Sequence, residues 1–80
     1  MYETDGQYTI ARWKQAKRDL IRHNKELKTR LAKDSKNVKL KKHINEVERM
    51  IAKMSIEEKN GIKVCRLKRE ILNAEVLLLL

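Results

Sequence analysis

The sequence predicts an all-α fold, a long helical hairpin or three-helix arrangement with coiled-coil-like seams that self-associates. Three observations predict it. Proline is absent and the only glycines are Gly6 and Gly61, so residues 7–60 contain neither strong helix breaker. Apolar residues recur three and four apart rather than in alternation. The β-branched or aromatic runs and frequent turn signals that a β-rich fold needs are scarce.

The 80 residues are read as one small helical domain, 1–80, near the lower size at which a chain buries enough surface to fold alone. Phe is absent and Tyr2, Tyr8 and Trp13 are the only aromatic residues besides the histidines. A core of Leu, Ile, Val, Met and Ala with one large anchor suits narrow seams between helices.

Residues 1–9 carry Glu3 and Asp5, no basic side chain, and an Asp5-Gly6 pair that favours a turn, so they read as a loose lead-in. A first helix is expected over about residues 9–33, with Asp5 or Thr9 capping its free N–H groups. Its seam positions are Ile10, Trp13, Lys17, Leu20, Asn24, Leu27 and Leu31. Asp34-Ser35-Lys36-Asn37 interrupts it, because most of these side chains compete for backbone hydrogen bonds. A second helix is expected over about residues 37–54, with Leu40, Ile44, Val47, Ile51 and Met54 as its stripe. The two stripes are one residue out of frame. A bend or short loop at 34–37 explains the slip, and an unbroken helix with a stutter is the alternative.

Ser55-Ile56-Glu57-Glu58 matches a capping box, so a new helix or a kink is expected there. Asn60-Gly61 reads as a helix C-terminus and turn. A third helix is expected over about residues 62–78, with Val64, Leu67, Ile71, Ala74 and Leu78 at helical spacing. Its end, Glu75 to Leu80, is apolar around most of its circumference, so Leu77, Leu78 and Leu80 are expected to meet a partner.

The first seam contains two polar residues at its a positions, Lys17 and Asn24. Such residues lower stability but restrict register and partner number, because only one alignment lets their polar groups meet one another or reach water. Trp13, Leu20, Asn24, Leu27 and Leu31 are therefore expected interface residues, Trp13 as the packing anchor, in a homo-oligomer, most simply a dimer. Alternatively, Lys17 snorkels and Asn24 sits at the wet edge of an intramolecular hairpin.

The net charge is +9, distributed as −2, +7, +3 and +1 over residues 1–9, 10–33, 34–54 and 55–80. At about 100° per residue, Lys14, Arg18, Arg22, Lys25 and Lys33 share one arc of the first helix, opposite its apolar seam. Lys36, Lys39 and Lys42 continue the basic character into the second helix. These eight residues are the expected phosphate contacts of a small non-enzymatic nucleic-acid-binding protein in a regulatory or accessory role. Nothing in the pattern indicates base reading. The alternative is an adaptor or inhibitor module whose seam and C-terminal leucines dock on a larger partner with an acidic surface.

No nucleophile with a base, phosphate loop or metal-ligand spacing appears, so neither catalysis nor a cofactor or metal is expected. His23 and His43 are expected to be solvated surface residues. Cys65 is expected to be a partly buried small hydrophobe in a reducing compartment. With no leader visible and no long apolar run, the expected location is the cytoplasm, without stable membrane anchoring.

Overall fold

The structure, a computed structural model, describes residues 8–79. They form three packed helices, α1 (Ile10–Lys33), α2 (Val38–Asn60) and α3 (Leu67–Leu79), with a 3-10 turn at Val64–Arg66 leading into α3. The all-α expectation holds. Leu80 and the lead-in through Gln7, including the candidate cap Asp5, lie outside the described residues.

Helix α1 starts where Thr9 adopts an extended backbone and its hydroxyl accepts the Arg12 N–H at 3.1 Å. It ends at Asp34, whose N–H reaches the carbonyls of Arg30 and Leu31. Arg30 and Lys33 in its last turn complement the negative end of the helix dipole. Residues 34–37 form a true loop rather than a stutter. Asn37 organises it, donating to the Asp34 carboxylate at 3.3 Å and accepting the Leu40 N–H at 3.0 Å as the α2 cap.

Helix α2 runs through Ser55–Glu58 without a break, so the expected capping box does not form. Glu58 has a stronger option than folding back, since its carboxylate accepts from the Lys17 ammonium of α1 at 2.8 Å. The helix stops at Asn60 because Gly61 takes φ +107°, a backbone region that favours glycine. Helix α3 begins at Leu67, five residues later than the apolar spacing suggested: Lys63 is extended and Val64–Arg66 wind as a 3-10 turn. Val64 and Cys65 are consequently exposed, which corrects the expected burial of Cys65.

The three helices run up, down and up. Lys17 facing Glu58 and Asn24 facing Glu48 make α1 and α2 antiparallel. Glu70 beside Trp13 and Leu78 beside His23 make α3 parallel to α1. Helix α1 packs extensively on both neighbours, which touch each other less. The core contains Trp13, Ala16, Leu20 and Leu27 of α1, Ile44, Val47, Met50 and Met54 of α2, and Leu67, Ile71 and Ala74 of α3. Each fully buried large apolar side chain contributes about 1.5–3 kcal/mol relative to exposure. Met50, absent from the simple stripe, is buried because α2 faces α3 as well as α1.

A polar network crosses this core. The Trp13 indole N–H donates to Glu70 Oε1 at 2.9 Å, and Glu70 is only 1 % exposed. Glu57 of α2 faces the same carboxyl group and accepts from the Arg66 guanidinium at 3.4 Å. Glu57 Oε2 and Glu70 Oε2 are both buried, and neither has a hydrogen-bonding partner among the described residues. Two carboxylates cannot bond one another without a proton. Burial above all, then the facing carboxyl group of Glu57, raises the Glu70 pKa, against the opposing effects of Trp13 and Lys53.

A raised folded-state pKa gives a stabilisation that is complete below the unfolded value of 4.5 and is lost as pH rises through the folded value. Glu70→Gln, which keeps an acceptor for Trp13 and can donate to Glu57, is expected to be more stable than the parent at neutral pH. Glu70→Ala orphans the buried indole N–H and is expected to lose about 1–3 kcal/mol. Urea unfolding of both variants at pH 4.5 and pH 7.5 checks this. A Glu70→Gln protein less stable than the parent at pH 7.5 would show that the carboxylate is held ionised.

Candidate functional site

Lys14, Arg18, Arg22, Lys25 and Lys33 are all exposed on α1. Because the helix turns about 100° per residue, they lie on the arc opposite Trp13, Leu20 and Leu27, facing away from both α2 and α3. None of the five is in an ion pair with a described residue; the ion pairs described engage Arg12, Lys17, Lys28 and Arg66. Lys14 and Arg18 still act on Glu58 through space, contributing to its lowered pKa behind the dominant Lys17 hydrogen bond.

Lys36, Lys39 and Lys42 are also exposed, but they do not join that arc. Lys36 is on the connecting loop. Lys39 and Lys42 border a hollow between α1 and α2, with Leu27, Leu40, Arg30 and His43. Arg49 and Lys53, on the same side of α2, border a second hollow between α2 and α3, with Met50, Val76 and Leu77. The eight cations expected to act together thus belong to two surfaces of different character. The α1 arc has no apolar floor; only Arg22 borders a hollow, beside Asp19 and Glu26.

The expected interface residues are largely spent within one chain. Trp13, Leu20 and Leu27 are buried between the helices, while Leu31, Leu77 and Leu78 are half-buried against the same core. Leu80 lies outside the described residues. Lys17 and Asn24 find their partners on α2: Lys17 pairs with Glu58, and the Asn24 amide donates to Glu48 at 3.3 Å, where Lys28 also binds at 2.8 Å. Those two contacts hold Glu48 below the usual carboxylate range. The polar a positions mark the edge of an intramolecular seam, and their acidic partners fix the register of the α1–α2 hairpin.

His23 and His43 depart from the expectation of solvated surface residues. Their Nε2 atoms stand 3.3 Å apart across the hairpin, with ring centroids 5.5 Å apart and planes at 73°. In the neutral pair one Nε2–H donates to the other ring, an arrangement that double protonation abolishes. The signal was present in the sequence: His23 lies between Leu20 and Leu27, and His43 between Leu40 and Val47, each one turn from core residues. Among the described residues no group of three His, Cys, Asp or Glu could hold a metal ion. No helix of the described residues is long and apolar enough to cross a membrane.

Compared with protein-family models, curated proteins and solved structures, the chain matches none.

Burial, and then His43, lower the His23 pKa from 6.5; Glu26 opposes them and Arg30 adds to them. A depressed folded-state pKa means that the unfolded chain binds the proton more readily. The His23 contribution to stability is therefore expected to be complete above pH 6.5 and to fall as pH drops through that value toward the lowered one. His23→Gln is expected to flatten this slope in denaturant midpoints measured between pH 7.5 and 5.5. An unchanged slope would remove the histidine pair from the pH response.

Proposed function

We propose that the protein binds nucleic acid without catalysis, through phosphate contacts along the outward face of α1, in a regulatory or accessory role. The observation that carries this reading is the row Lys14, Arg18, Arg22, Lys25 and Lys33, exposed, on one arc and without an ion-pair partner among the described residues. Nearby acids do compensate other cations, notably Lys17 and Lys28, so the outward row stands as a concentrated positive ridge. It spans roughly 28 Å at 1.5 Å per residue, enough to follow several successive phosphates.

The chemistry supports phosphate recognition rather than base reading. The arc offers cations, Thr29, whose hydroxyl donates to the Lys25 carbonyl at 3.0 Å, and Gln15, whose amide already donates to Asp19 at 3.0 Å. Trp13 is fully buried and cannot serve as a stacking platform. Affinity then comes from counterion release and depends steeply on salt.

A labelled duplex and a labelled single strand, titrated across a salt series, test this. For the duplex, log K is expected to fall with log salt at a slope of about −4 to −5 if five phosphates are neutralised. Reversing both Arg18 and Arg22 to Glu is expected to weaken binding more than about tenfold and to flatten the slope by about two. Absence of binding to either strand form at low salt, or binding unchanged by the double reversal, would overturn the proposal.

A further inference from the structure

The two hollows on the other side of the molecule lie in succession along α2 and share Glu46 in their walls, a trough in two parts. Their volumes are about 470 and 380 Å³. No described α3 residue lines the hollow at the distal part of the α1–α2 hairpin. Leu27 and Leu40 line one end, and Met50, Val76 and Leu77 the other. Val76 is 56 % exposed. Lys39, Lys42, Arg49 and Lys53 stand along its length, and none is in an ion pair with a described residue.

We propose that this trough docks an acidic amphipathic helix supplied by another protein. Charge complementarity selects the occupant. An apolar floor calls for an apolar stripe, and a rim of four cations calls for carboxylates flanking it. A phosphate backbone would leave the apolar floor uncovered, and a second copy of this chain brings its own net charge of +9 against the same rim. From Lys39 to Lys53 the rim runs roughly 21 Å, matching about fourteen residues of helix. Glu46, the single acid in the row, lies at the junction of the hollows, so the docked helix is expected to present a polar or basic residue at its midpoint.

This surface is separate from the outward arc of α1, and the two proposals fail separately. The probe is a synthetic helix of about fourteen residues with leucines at i, i+3, i+4 and i+7, one lysine at its midpoint and glutamates elsewhere. A scrambled peptide of the same composition and an oligoglutamate serve as controls. Binding to the full chain is followed by fluorescence anisotropy and by amide NMR shifts. The amphipathic peptide is expected to bind at least about tenfold more tightly than either control and to shift Leu40, Met50, Val76 and Leu77.

Reversal of Lys39 and Arg49 to Glu is expected to weaken the peptide about tenfold or more, and Val76→Glu to do likewise with an unchanged circular dichroism spectrum. The Arg18→Glu/Arg22→Glu protein is expected to retain peptide affinity within about twofold. The proposal is overturned if the controls bind equally, if no peptide binds, or if the shifts map to the α1 arc. It is equally overturned if a duplex displaces the peptide from the trough of the Arg18→Glu/Arg22→Glu protein, or if concentration-dependent shifts at the trough without peptide reveal a second copy there.

Discussion

The hydrogen bond from the Trp13 indole to the buried Glu70 carboxyl is the constraint on which the arrangement of the three helices depends. Trp13 is the largest fully buried side chain, and its one polar atom has to find an acceptor inside the core. Glu70 supplies it from α3, and the same carboxyl meets Glu57 of α2, whose other oxygen is engaged by Arg66 just before α3 begins. One network therefore ties all three helices and the turn between the last two. A buried indole N–H that needs an acceptor favours the placement of α3 that supplies one.

That placement has consequences for the surface. Docking α3 beside the first half of α1 leaves the helix with neighbours on two sides and solvent on the third, and the five-cation row lies on that third side. The same docking leaves the far end of the hairpin uncovered, where Leu27, Leu40 and the cations of α2 border the trough. Two positive surfaces of unlike character thus arise from one packing decision. The outward α1 arc is dominated by cations; the α2 trough combines charge with an apolar floor. In sequence they form one basic continuum from Lys14 to Lys53.

Local signals were legible where the physics is local. Thr9 as an N-cap, the Asp34–Asn37 interruption and the Gly61 turn depend on side chains within a few residues, and each occurs in the structure. The capping box at Ser55–Glu58 was equally plausible by local rules and does not form, because Glu58 is drawn to Lys17 across the hairpin, 41 positions away. The polar residues of the first seam show the same limit. Lys17 and Asn24 announced a need for polar partners, and the folded hairpin supplies Glu58 and Glu48. His23 and His43 carried a weak signal through their spacing from core leucines. Their mutual contact required the antiparallel register.

By itself the sequence determined the helical class, the long first helix with one dry and one cationic side, and the concentration of charge in the first half, because these follow from periodicity and composition along a single helix. Only the tertiary structure decided that α2 continues to Asn60, that Cys65 is exposed, that Glu70 is buried as the acceptor for Trp13, and that the basic residues divide between two surfaces. Each of those outcomes depends on which distant groups meet. A helix wheel records where a side chain points and contains nothing about what stands opposite it.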